Sequence, residues 1–186
     1  MNILGIIASS KLAAAGDFES IATVTVGSGG SSSITFSSIP ATYTHLQVRM
    51  TTLSDVATGA GGANVNLTFN SDTGSNYAWH ELYGTGASAA AGAGTSQTFI
   101  KTGYTADSTA SYTGACVIDI LDYINTNKYK TIRALAGSDI NGSGGYILFR
   151  SGLWQNTNAI TSITLTNQSG NLKQYSHFAL YGIKGA

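Results

Sequence analysis

The sequence predicts an all-β fold, an antiparallel β-sandwich. Three observations carry that expectation. Short runs of alternating apolar and polar residues recur along the chain, turn residues separate them, and no run shows the apolar spacing of an amphipathic helix. Gly supplies 23 of the 186 residues and Pro only one, a balance suited to many tight turns. Aromatic and β-branched residues recur throughout, so disorder is a poor alternative.

Residues 1–16 read as an arm outside the domain. They are apolar at Ile3, Leu4, Ile6, Ile7 and Leu12, then small as far as Gly16. No positive charge precedes the apolar run, so it does not read as a signal peptide. It is also too short to cross a bilayer. The arm is expected either to cover a sheet of its own domain or to pack on a neighbouring subunit, as the apolar part of an assembly device. Residues 17–186 are expected to form one domain, a usual size for a sandwich.

Within that domain the runs follow in order. Residues 20–26 alternate, a Gly-Ser loop follows, and residues 33–37 place Ile34 and Phe36 on one face. These two runs are expected to pair as a hairpin. Residues 45–53 set Leu46, Val48 and Met50 against His45, Gln47, Arg49 and Thr51. Val65, Leu67 and Phe69 alternate with three polar residues. Residues 77–84 place Tyr77, Trp79, Glu81 and Tyr83 on one side and His80 and Leu82 on the other. Bulk on both sides suggests a strand that meets the core on one face and a partner on the other. Further strands are expected at 115–124, 130–136, 146–150, 160–166 and from Tyr175 to near the C-terminus.

Roughly ten strands at this spacing fit a sandwich or barrel. A jelly-roll-like double sheet accounts best for that number. Residues 55–63 and 85–96, rich in Ala and Gly, are expected as its long crossing loops. The closing strand carries Phe178, Leu180, Tyr181 and Ile183, so the chain ends inside its sheet.

Charge excludes several functions. Lys plus Arg and Asp plus Glu number nine each, and charged residues make up 10% of the chain, against about 25% in ordinary domains. A neutral surface has no field to steer it to nucleic acid, and no segment suits a membrane. Low charge also weakens colloidal repulsion, which suits a protein held in an assembly.

Catalytic and metal constellations are not apparent. His45, His80 and His177 fall on three different strands without ligand spacing. No G-x-S-x-G turn presents a nucleophile. Asp119 and Asp122 would lie on opposite faces of a regular strand, so they do not make a glycosidase pair. Glu81, between Trp79 and Tyr83, suggests a sugar platform, but a cross-strand Arg49 or Lys101 would explain it as well. Asp72, Gly74 and Asn76 read as an Asx-turn, because the further ligands of a calcium loop are missing. Cys116, the only cysteine, is expected to be a buried, inert thiol. The expectation is a non-enzyme without cofactor or metal.

Four stretches carry a resemblance: residues 16–27 (GDFESIATVTVG), 36–46 (FSSIPATYTHL), 69–77 (FNSDTGSNY) and 175–185 (YSHFALYGIKG). The chain resembles small structural proteins from the virions of tailed bacteriophages. The resemblance implies a jelly-roll-like sandwich that assembles with itself, as a homotrimer, within a virion. It implies no catalytic residues. Two placements follow. A capsid cement or decoration protein would contact the major capsid protein, with Ile3, Leu4, Ile6, Ile7 and Leu12 as its arm. A tail or fibre component would contact a tail protein and present Tyr77, Trp79, Tyr83 or Trp154 to a host glycan or receptor. A lectin or glycosidase is the reading outside this class.

Overall fold

The computed structural model describes residues 17–56, 62–106, 112–141 and 144–185. The expected arm at residues 1–16 lies outside them. Among the described residues no helix occurs and twelve strands do. In chain order these are β1 (Phe18–Thr25), β2 (Ser33–Phe36), β3 (His45–Thr52), β4 (Asn64–Phe69), β5 (Tyr77–Gly84), β6 (Ala89–Gln97), β7 (Ile100–Tyr104), β8 (Gly114–Ile120), β9 (Lys130–Asp139), β10 (Gly145–Trp154), β11 (Ile163–Asn167) and β12 (His177–Ile183).

They form two antiparallel sheets. The larger has eight strands in the order β1-β12-β3-β8-β9-β10-β5-β6, and the smaller has four in the order β2-β11-β4-β7. The chain passes repeatedly from one sheet to the other, and only β5–β6 and β8–β9–β10 run on within one sheet. The closing strand β12 is interior to the large sheet, hydrogen-bonded to β1 on one side and β3 on the other. Its Phe178 and Leu180 are buried, so the tail is tied into the core as the sequence suggests.

One continuous core lies between the sheets. From the large sheet it takes Leu46, Val48, Ile118, Ile132, Trp154 and Phe178, and from the small one Val65, Leu67, Phe69, Ile100 and Leu165. Strict alternation in β3, β4, β8 and β9 sends every second side chain inward, as period-2 geometry requires. Strand β7 comes unusually close to the large sheet, and two glycines make room. A Cβ on Gly103 would stand 2.3 Å from Met50 Cε, and one on Gly152 would stand 2.4 Å from Ile100 Cγ2.

Two expectations are corrected. Residues 20–26 and 33–37 do not form a hairpin: β1 pairs with β12 in the large sheet and β2 with β11 in the small one. The five-residue Gly-Ser stretch between them carries the chain across the sandwich instead of reversing it. Residues 85–96 are not a crossing loop. Most of them form β6, the outermost strand of the large sheet, paired with β5. Its sequence AAAGAGTSQ lacks the β-branched and aromatic residues that mark strands. It is held by backbone pairing to a bulky neighbour.

Candidate functional site

The large sheet has an inner face on the core, and among the described residues no layer covers its outer face. Antiparallel registers place the outward residues of neighbouring strands in rows across that face. Leu82 of β5 stands beside Phe149 of β10, Phe149 beside Leu135 of β9, and Leu135 beside Val117 of β8. Ala91 extends this row onto β6. The adjacent row runs Gly84, Ile147, Gly137, Ala115 over the same strands. The outward side of a one-sided antiparallel sheet is normally polar. Here Leu82, Val117, Leu135, Ile147 and Phe149 are 38–65% exposed.

The size of this patch decides its meaning. At ~150–200 Å² for a large apolar residue, those fractions leave on the order of 400–500 Å² of apolar surface open. Scattered single apolar residues are ordinary; a contiguous patch of this extent matches the largest patch of a typical monomer, which is often a functional surface. The small row beside it lies in an open groove of about 980 Å³, lined by Gly84, Ala115, Val117, Leu135, Gly137 and Ile147 among others. The groove exists because glycine and alanine stand where the next row has Leu, Phe and Val.

Charge frames the patch on two sides. The row beyond Leu135 carries Arg133, whose Nη2 donates to Asp119 Oδ2 at 2.8 Å, and Gln47 donates to Asp119 Oδ1 at 2.8 Å. Burial pushes the Asp119 carboxyl up, but the bonds from Gln47 and Arg133 outweigh that and hold it below the ordinary carboxylate value. On the other side Asp139 follows Gly137 along β9 and is exposed. Further along the sheet the Arg49 guanidinium lies over Phe18 and Tyr181, 5.1 and 5.3 Å from the ring centroids.

The aromatic residues expected at an interface or receptor site lie elsewhere. Tyr77 and Trp154 are 0% and 1% exposed and Trp79 is 7% exposed. Tyr77 and Trp154 stack on each other and plug one end of the sandwich. Trp154 Nε1 donates to Asp72 Oδ2 at 2.8 Å. Tyr83 is half-buried beside Tyr146. The bulky side of β5 therefore faces the core. Its other side, with Leu82, lies on the exposed outer face. The candidate arm residues Ile3, Leu4, Ile6, Ile7 and Leu12 lie outside the described residues.

The polar candidates resolve into structural pairs. Glu81 does not meet Arg49: its cross-strand neighbour Arg150 binds it, with Nε and Nη2 at 2.8 and 2.7 Å from Oε2, and the pair lines a small pocket of about 190 Å³ with Tyr83, Tyr104 and Tyr146. Arg150 also donates to Gly103 O at 3.1 Å and Asn64 Oδ1 at 2.7 Å. Lys101 sits 4.0 Å from Glu81 Oε1 and 4.0 Å from the centre of the Trp79 ring, but it reaches them from β7 of the small sheet; the cross-strand partner of Glu81 is Arg150. Asp72 forms the Asx-turn, accepting from Gly74 N at 2.9 Å. Asp119 ends on the outer face, whereas Asp122 lies past the end of β8 and pairs with Lys128 and His45. Burial pushes the Cys116 thiol up to about 12, which leaves it protonated and unreactive. Among the described residues no group of three metal-ligating side chains occurs.

Sequence reasoning missed two features. Lys130, which the sequence does not single out, is buried. Its ammonium donates to Asn125 O, Lys128 O and Thr157 O at 2.6, 3.1 and 3.0 Å, and so fastens two loops. Its position opening an alternating strand was a signal of inward direction. The outer apolar row was the second miss. Its signal was present in apolar residues at the polar positions of β5, β8, β9 and β10.

The described residues thus form a β-sandwich with one exposed apolar sheet face. Comparison with protein-family models, with curated proteins and with solved structures finds no match.

Proposed function

We propose that the chain is a structural protein of a bacteriophage virion, a capsid cement or decoration protein that strengthens the shell by docking the outer face of its large sheet on a neighbouring subunit. The observation that carries the reading is the exposed apolar row Leu82–Phe149–Leu135–Val117 with Ile147 beside it. Burying such a row gains about 25 cal/mol per Å², so on the order of 10 kcal/mol per patch before association costs. A free protein has no use for that surface, whereas an assembly does.

Other features support the same role. The net charge is zero, so copies do not repel one another. Passage of the chain between sheets also supports the jelly-roll winding expected of such proteins. The strands β2, β4, β7 and β11 of the small sheet alternate in sequence with segments of the large one, as wrapping a long hairpin into a double sheet would produce. The receptor-binding tail reading lacks its residues, because Tyr77, Trp79 and Trp154 belong to the core. A glycosidase loses Glu81 to Arg150.

Imaging of particles made with the wild-type chain and with Leu135→Asp tests the proposal. Density for the wild-type chain on the capsid lattice, lost in the variant, is the expected result. Absence of the chain from particles, or full occupancy by the variant, would overturn it.

A further inference from the structure

The outer face is patterned to fit a second copy of itself. Its outward residues form four successive rows over β8, β9, β10 and β5. The first is Asp119, Arg133, Ser151, His80; the second Val117, Leu135, Phe149, Leu82; the third Ala115, Gly137, Ile147, Gly84. The fourth contains Asp139 and Gly145. The second row is bulky. Three of the four residues in the third are Gly or Ala.

Consider a two-fold axis lying in the interface, across the strands, between the second and third rows. It sets each strand antiparallel over its own copy and three of the four bulky residues over a small neighbour, while on β10 Phe149 meets Ile147 of the other copy, so that contact must be made side by side. Leu135 then stands over Gly137 of the other copy, Val117 over Ala115, and Leu82 over Gly84. The outer rows exchange in the same way, so Arg133 stands over Asp139. An isologous contact needs this self-complementarity in both shape and charge. We infer that two copies of this chain associate face to face through β8, β9, β10 and β5, with the Leu135 row seated in the Gly137 groove.

Three quantities favour a second copy as the occupant. Arg133 keeps donors to spare: its side chain is 65% exposed and its bonds to Asp119 use only Nε and Nη2. Asp139 is exposed and faces no cation in its own row. Strands spaced ~4.8 Å and rows spaced ~6.7 Å give a footprint of roughly 20 by 25 Å. With side-chain relief and β6 alanines added, that approaches the ~800 Å² per partner of a standard interface. Aligned sheets cross at about 30°, so the fit is tightest at the centre, on β9 and β10.

The inference rests on the outer face being the docking surface, and the test separates the two. Sedimentation velocity at 1–100 µM is the readout, with thermal melting to verify folding. Gly137→Val fills the groove while leaving the fold intact, since a Cβ there meets only Tyr146 O at 3.5 Å. A two-fold dimer is expected for the wild type, weakened at least 100-fold by Gly137→Val. Arg133→Asp and Asp139→Arg should each weaken it, and the two together should restore it. A dimer broken by Leu135→Asp but untouched by Gly137→Val, or not restored by the double charge swap, would overturn the two-fold arrangement and leave the docking surface standing. A wild-type monomer at 100 µM, or the trimer that the family resemblance implies, would overturn the inference too. Particle occupancy then decides separately whether the face docks on another subunit.

Discussion

The two outer faces of this sandwich obey different rules. On the small sheet, Thr35, Thr164 and Thr68 stand in one cross-strand row and Ser33, Thr166 and Asn66 in the next. Thr35 and Thr164 share a hydrogen bond at 3.0 Å. That face carries short polar side chains and no large apolar residue in these rows. On the large sheet the equivalent positions of β5, β8, β9 and β10 hold Leu82, Val117, Leu135, Ile147 and Phe149. Both sheets bury one side equally well, so the difference does nothing for folding. On the proposed reading, its use lies outside the domain.

If that contrast is right, inner-face changes should alter folding and outer-face changes should not. The largest effect is expected at the buried ion pair. Arg150→Ala strands Glu81 and leaves Asn64 and Gly103 O without their donor. It should cost about 3–5 kcal/mol of unfolding free energy, measured by urea denaturation. Gly152→Ala comes next. The added methyl strikes Ile100 and Ile132, and overpacking costs about 1–3 kcal/mol. Equal stability of either variant with the wild type would mean that the sheets are not clamped as described.

Acid should act on the same scaffold. Hydrogen bonds from Asn171 lower the Asp55 carboxyl, and bonding to Lys128 lowers Asp122. For Asp72 burial acts upward, but Trp154, Asn76 and Gly74 together bring it below its ordinary value. A carboxyl lowered in the folded state binds fewer protons there than in the unfolded chain. Its stabilisation is therefore complete above the unfolded value, near pH 4, and is lost as pH falls through the folded one. The melting temperature should decline below about pH 4, and Asp72→Asn should flatten that decline. A melting temperature unchanged from pH 6 to 2.5 would contradict it.

The smallest effects on folding belong to the outer faces. Thr164→Val removes one Thr–Thr bond and should change stability by less than about 1 kcal/mol, with no gain of association. Should that single valine make the small sheet associate as well, the contrast between the faces would lose its force.

Much of this was legible in the sequence. Alternation located β3, β4 and β5 and put Leu46, Val48 and Met50 on one side of β3 and Val65, Leu67 and Phe69 on one side of β4, the sides that prove to be buried. The aromatic tail was legible as an interior strand. Strand β6 was not, because Ala and Gly carry no β signal and only pairing with β5 defines it. The functional face was half legible. Bulk on both sides of residues 77–84 pointed to a partner, but alternation does not say which side is the core. Register decided that. It joined Leu82, Phe149, Leu135 and Val117, from positions up to 67 residues apart, into one row. The Arg150–Glu81 pair was hidden for the same reason, since its members come from different strands.

The most direct measurement compares two aspartates on opposite outer faces. Leu135→Asp and Thr164→Asp place the same charge on equally regular strands of the two sheets. Sedimentation velocity at matched concentration should show Leu135→Asp dissociated and Thr164→Asp assembled like the wild type, with both still folded by circular dichroism. Association that persists in Leu135→Asp, or fails only in Thr164→Asp, would contradict the assignment of the large sheet's outer face as the docking surface.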